Sequence, residues 1–279
     1  MDARLQRRIQ RYGWDRAAGH YEEHWLSRLA PATLRVLELA AIAPGERVLD
    51  VACGTGVLAI AAATRTGQDG FVTGTDISEK MVEAARATAG ALGLTNCCFE
   101  RCDAEGLPGL GTPFSLGTPF DVGLCGLGLM YMPEPERALA ALAAQLAPGG
   151  RVVVSVWGQR NRCGWAELFP IVDARVESEV CPMFFRLGGS GNLARALEQA
   201  GLTGVRTERV PVTLAYESAG EANDAAFLGG PVALAYSRFD DATRALVREE
   251  YLRSIEGFRR ADGYGIPGEF VIGHGIVPG

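Results

Sequence analysis

The stretch VLDVACGTGVLA, residues 48–59, decides how this chain is read. VLDV has the composition of a buried strand. Ala52-Cys53-Gly54-Thr55-Gly56 supplies the small residues of a tight turn, and Val57 onward reads as a closely packed helix. The spacing Gly54-x-Gly56-x-x-Ala59 fits the dinucleotide-binding fingerprint, in which glycines let the backbone between strand and helix come close to a ligand.

Outward from this turn, strands and helices alternate. Further strands are expected at FVTGTD (71–76), CCFERC (97–102), FDVGLC (120–125) and RVVVSVW (151–157), after RVLDV (47–51). Helices are expected at 56–65, 79–91 and 134–147. The rhythm implies an α/β fold with a mostly parallel sheet, helices on both faces and right-handed crossovers. Upstream, residues 1–30 read as helical, and Pro31 starts a second helix that Pro44-Gly45 ends. Downstream, residues 164–178, 191–200 and most of 221–259 read as helical. GVRTERVPVTLAY (204–216) reads as a strand bent or bulged at Pro211, and EFVIGH (269–274) as the last strand. This divides the chain into an N-terminal helical lid (1–44), a Rossmann-like core (45–216), a helical cap (217–266) and a final core strand (267–279). LGTPF occurs twice in residues 110–120, a local duplication expected to lengthen a surface loop.

Of the 279 residues, 48% are apolar and 22% charged, which suits a sizeable core and disfavours disorder. The net charge of −6, without a basic stripe, argues against nucleic acid as a partner. No apolar run is long enough to span a membrane. The basic N-terminus lacks the apolar stretch of a signal peptide; an amphipathic helix is expected there rather than a transit peptide. Seven irregularly spaced cysteines fit a reducing, cytoplasmic setting without disulfides.

Three features bear on the ligand of the glycine turn. Asp50, at the strand end, would repel a pyrophosphate on the helix N-terminus and suits a cationic ligand instead. Asp76 ends the second strand, 20 residues after Gly56, where a carboxylate can accept both ribose hydroxyls. In CDAEGLP (102–108), Asp103 can accept from an exocyclic amine of adenine while the N–H of Ala104 or Glu105 donates to a ring nitrogen. The alternative for Asp103 is a helix cap or turn residue.

LDVACGTG, GTDIS–KM, CDAEGLP, FDVGLC and LAPGGRVVVSVW, in this order, resemble class I S-adenosylmethionine-dependent methyltransferases, closest in style to the ubiquinone/menaquinone C-methyltransferase-like group. The resemblance covers about residues 15–160. It implies a seven-stranded sheet with the last strand antiparallel, and S-adenosylmethionine as cofactor. On that resemblance Asp50, Ala52, Cys53, Gly54, Thr55 and Gly56 form the methionine end, Asp76 holds the ribose, and Ile77 and Met81 pack on the adenosine. Asp103, Ala104 and Glu105 meet the adenine, and Cys125 and Gly126 flank the transferred methyl. Ala52 departs from the glycine that many members carry.

Methyl transfer is mostly a matter of orientation, so the lack of a catalytic triad is no objection. Of the three histidines, His20 and His24 are four apart and read as a solvated helical face. The functional alternative makes His24 a base and lets Tyr21 touch the methionine carboxylate. No cysteine or carboxylate pattern completes a zinc site around the pair, and no metal is expected. Tyr131 and Met132 sit where the acceptor pocket opens in the family, Tyr131 as a possible catalytic group. Trp157, Phe184 and Phe185 are further wall candidates, which fits a hydrophobic or aromatic small-molecule acceptor. Cys97, Cys98 and Cys102 raise a metalloid alternative, but alternation along the strand splits them between two faces, as for inert thiols. The competing functions are an NAD(P)-dependent oxidoreductase and a non-catalytic cofactor-binding subunit. The aromatic N-terminal segment could also pack on a second subunit.

Overall fold

The computed structural model describes residues 3–107, 118–177, 181 and 183–279. Its elements in chain order are α1 (Ala3–Ala40), β1 (Arg47–Val51), α2 (Val57–Thr66), β2 (Phe71–Asp76), α3 (Glu79–Ala91), β3 (Cys97–Arg101), β4 (Phe120–Gly126), α4 (Pro135–Ala143), β5 (Leu146–Trp157), α5 (Leu168–Asp173), α6 (Asn192–Gln199), β6 (Thr203–Tyr216), α7 (Ala219–Phe227), α8 (Ala233–Arg238), α9 (Asp241–Ile255), the two-residue β7 (Arg259–Arg260) and β8 (Gly263–Ile276).

The sheet runs β3-β2-β1-β4-β5-β8-β6, with β7 paired to β8. The pairings among β1 to β5 are parallel, and β8 lies antiparallel between β5 and β6. This is the expected Rossmann-like sheet with an antiparallel last strand. Strand order reverses between β1 and β4, which opens a crevice beyond their carboxyl ends. Val48, Leu49, Leu124, Val152 and Val154 are fully buried, as residues of central strands covered on both faces must be. No helix among the described residues is long and apolar enough to cross a membrane.

Several elements differ from the sequence reading. Pro31 does not start a second helix; it lies inside the single 38-residue α1. An interior proline costs about 3 kcal/mol, yet Leu29, Ala32, Val36, Leu37 and Ala40 on either side are all buried. Packing of that face outweighs the lost backbone bond. Pro211 causes no bend, because β6 is an edge strand and tolerates a missing donor; the register shift lies between Thr203 and Arg206.

The expected helix 134–147 ends at Ala143 because β5 already begins at Leu146. Only Leu168–Asp173 of the expected 164–178 is α-helical. The stretch 221–259 breaks into α7, α8 and α9, first around Gly229-Gly230-Pro231. The last strand begins at Gly263, well before EFVIGH. Most of the LGTPF repeat falls on 108–117, outside the described residues.

Candidate active site

The turn after β1 has three residues in the left-handed region: Ala52 at φ 54°, Gly54 at 56° and Gly56 at 87°. Gly56 needs this freedom twice over, because a Cβ there would stand 2.9 Å from the Ala85 Cβ and 3.2 Å from the Phe99 ring. The turn is tied down by the Cys53 N–H, which donates to the Thr75 carbonyl at 2.9 Å.

Asp76 is held in place by backbone donors. Gly54 N donates to Oδ2 at 2.9 Å and Ser78 N to Oδ1 at 2.8 Å. A carboxylate has about four acceptor positions, so acceptor capacity remains for a ligand. Burial raises the Asp76 pKa to about 6, against the opposing pull of these N–H groups.

Asp50 is completely buried, and neither carboxylate oxygen has a hydrogen-bond partner. Burial, and then the charge of Asp76, push its pKa well up. The Thr55 hydroxyl is also buried and unpartnered. Unsatisfied buried polar groups cost about 1–3 kcal/mol each, and both residues line one cavity together with Cys53 and Ser155. That is the signature of a site built to receive polar groups from a ligand.

This cavity adjoins a larger cleft, and both share Tyr21, Leu29, Ala52, Gly54, Gly126 and Leu127 in their walls. One end of the cleft carries Asp76, Ile77, Met81, Asp103 and Ala104. The other is aromatic. Trp25 packs on Trp157 (6.3 Å between ring centroids), Trp157 on Trp165 (4.8 Å), Trp165 on Phe184 (5.6 Å) and Phe184 on Tyr131 (5.4 Å). Tyr131 packs on Trp14 (4.9 Å) and Trp14 on Tyr21 (5.9 Å). All seven rings line the cleft. Their edge-to-face contacts fix the wall's shape as well as its polarity. Burial raises the pKa of both Tyr21 and Tyr131, so both stay neutral phenols.

The model of a methyltransferase domain matches residues 42–180. The nocamycin O-methyltransferase of Saccharothrix syringae is 31% identical over 207 residues, which cover 69% of this chain and 72% of that protein. The chain belongs to the class I S-adenosylmethionine-dependent methyltransferases. A ubiquinone/menaquinone biosynthesis C-methyltransferase of Ralstonia nicotianae is 41% identical over 116 residues, 41% of this chain and 44% of that relative. Across five further curated relatives that it matches, the chain spans 42–60% of their length. The crystal structure of a putative methyltransferase from Bacillus halodurans superposes with a TM-score of 0.60 at 17% identity, over 88% of this chain and 99% of that one, a likeness of fold.

Within this methyltransferase fold, most of the expected site residues meet at the two cavities. Tyr21, Ala52, Gly54, Asp76, Ile77, Met81, Asp103, Ala104, Glu105 and Gly126 line the large cleft, as do Tyr131, Met132, Trp157 and Phe184. Asp50, Cys53 and Thr55 line the smaller one. Gly56 lines neither and acts through the turn's shape.

Four expectations need correction. Cys125 is buried beneath the turn that follows β4, close under Gly128, and does not reach the cavity wall. Phe185 stands behind the wall, against Phe184, Trp165 and Phe169. His24 is buried rather than on a solvated face and lines neither cavity, although it stands one turn from Tyr21 on α1. The Glu105 N–H is not open to a ring nitrogen, because it donates to Asp103 Oδ1 at 3.0 Å, so Asp103 caps the short helix 104–106.

The sequence reading missed Arg7, Trp14, Trp25, Leu127 and Trp165. Arg7 reaches from α1 to Asp103, Glu105 and Glu134 and closes the adenine-side end. Trp14, Tyr21 and Trp25 are spaced by seven and four, a helical-face signal that was present in the sequence. Leu127, at φ 56°, bears no such mark. Its strained backbone is held by the N–H bond to Ser155 O at 3.0 Å, and it sits where the two cavities meet.

Proposed function

We propose that this chain is a methyltransferase for a small, neutral, hydrophobic or aromatic acceptor, similar in kind to the ubiquinone/menaquinone C-methyltransferases. The observation that carries the reading is the row of seven aromatic rings, which shares its cleft with Asp76 and abuts the Asp50 cavity. S-adenosylmethionine, when bound, supplies a methyl group already activated on a sulfonium. Its polar groups match the donor set. Asp50 and Thr55 offer buried, unpartnered oxygens to the methionine end, and Asp76 offers its open acceptor positions to the ribose hydroxyls. Ile77 and Met81 pack on the adenosine, and Asp103 with Ala104 faces the adenine.

The polar inventory of the cleft supports a neutral acceptor. Among the described lining residues Arg7 is the only cation, and three carboxylates already hold it. A phosphate or carboxylate on the acceptor would be desolvated without a partner. None of the three histidines lines either cavity. The chain's contribution is therefore to orient the acceptor and exclude water, which favours an acceptor that is nucleophilic without an imidazole base. α1 serves as a lid over the core and α7 to α9 as its cap, with β8 returning the chain to the sheet. The relatives include both O- and C-methyltransferases by name, so the attacking atom is left to the assay.

The test is calorimetric titration with S-adenosylmethionine and with NADH, followed by an acceptor panel read by mass. The panel holds hydroquinones and polycyclic phenols, their carboxylated or phosphorylated analogues, and amines. Binding of the first ligand alone and methylation of neutral aromatics are expected. Binding of NADH alone would make the chain an oxidoreductase. Turnover of amines or phosphorylated acceptors in preference would overturn the reading of the cleft, and cofactor binding without turnover of any acceptor would point to a non-catalytic subunit.

A further inference from the structure

The turn of α1 that carries two cleft residues, Tyr21 and Trp25, also carries His20, Glu23 and His24. The ligating atoms of these three side chains all lie within 4.8 Å of one another. The imidazoles of His20 and His24 stack at 6.2 Å between centroids and 17° between planes. His24 is 7% exposed, and among the described residues no hydrogen bond engages its ring. The ring nitrogens of His24 do not figure among the buried polar atoms that lack a partner, so they remain open to an incoming ion even though most of the residue is covered. The pair alone does not make a site, but Glu23, one turn on from His20, supplies the third donor on the same face.

The geometry points to a binding site for a divalent first-row transition ion, held by His20, Glu23 and His24, with water in its remaining positions. Two imidazoles and a carboxylate are the donor set that suits Zn²⁺, and His residues at i and i+4 face the same way on a helix. Bonds of about 2.0–2.1 Å to a tetrahedral ion put its ligands a little over 3 Å apart. His20 and Glu23 are exposed and free to rotate by that amount, while His24 is fixed by its surroundings. The charges facing the site from neighbouring elements are balanced: Arg28 pairs with Glu221 of α7 beside His24. An ion here would staple one turn of the helix that walls the cleft, and so stabilise the folded chain by mass action. The site is separate from the glycine turn and its assignment does not depend on the methyl acceptor.

The experiment is calorimetric titration of the full chain with Zn²⁺, repeated with Co²⁺ followed by absorption, on the wild type and on His20→Ala and Glu23→Gln. Both variants alter exposed side chains and should fold as the wild type does. One equivalent of metal is expected, with a Co²⁺ spectrum free of thiolate charge transfer and a rise in melting temperature on adding Zn²⁺. Loss of an outer-shell partner alone weakens metal sites by roughly 10–100-fold, so each variant should lose at least tenfold in affinity, and the melting shift with it. Absence of stoichiometric binding, or affinity unchanged in both variants, would overturn the assignment. So would a thiolate band that disappears in Cys97→Ser or Cys98→Ser, since it would place the ion on β3.

Discussion

The electrostatics of Asp76 make a quantitative prediction about pH. Its pKa rises from 3.8 to about 6, chiefly through burial, with the charge of Asp15 adding and the N–H groups of Ser78, Gly54 and Ile77 opposing. A group whose folded pKa is raised binds its proton more tightly in the folded chain. Its contribution to stability is therefore complete below about pH 4 and is lost as pH rises through about 6. A shift of about two units corresponds to about 3 kcal/mol. The assay is urea denaturation of the wild type and Asp76→Asn from pH 4 to pH 7.5. Asn accepts only one of the two backbone bonds, which displaces the variant's curve by a constant. What matters is the slope: the stability of the wild type relative to the variant should fall by about 2.4 kcal/mol between pH 4 and pH 7, most of the full shift. Affinity for S-adenosylmethionine should move oppositely in the wild type, rising as the carboxylate ionises and becomes the full acceptor for the ribose hydroxyls. Parallel stability curves for the two proteins would refute the reasoning, because they would mean that Asp76 titrates in the folded chain as it does in water.

Two further substitutions probe the frame of the site. Gly56→Ala puts a Cβ 2.9 Å from that of Ala85 at a φ of 87°. It should cost about 1–3 kcal/mol of stability by urea titration and weaken cofactor binding, and a fully stable variant would show that the turn relaxes more easily than its contacts suggest. Arg7→Ala leaves Glu105, whose side chain is 2% exposed, without its cation. A loss of about 3 kcal/mol and faster tryptic cleavage in the first turns of α1 are expected; unchanged cleavage would mean that Arg7 does not hold the lid.

The β1–turn–α2 segment was legible because it is local. A buried strand, glycines at positive φ and a helix of small residues are specified within twelve residues, and the order of later strands follows from alternation and crossover handedness. Asp50, Asp76 and Asp103 could be placed at strand ends from their positions alone. Capping of the 104–106 helix by Asp103 was also readable as an alternative, since an aspartate before a short helix bonds its own backbone.

What the sequence by itself determined, then, is the sheet, the turn and the edge on which a ligand must lie, because these arise from short-range patterning. The tertiary structure alone decided which side chains face that edge. Pro31 reads as a boundary, yet lies within a helix whose buried face outweighs the local penalty. Cys125 and Gly126 are neighbours on β4, but the pleat and the turn that follows send only Gly126 to the cleft. His24 and Tyr21 are three apart on α1, and only Tyr21 meets the cavity. The aromatic row joins α1, the turn after β4, the end of β5 and the segment before α6, over 150 residues of chain apart. Contacts across such separations depend on how helices dock, which is a sum of many small packing energies and leaves no mark in any short window of sequence.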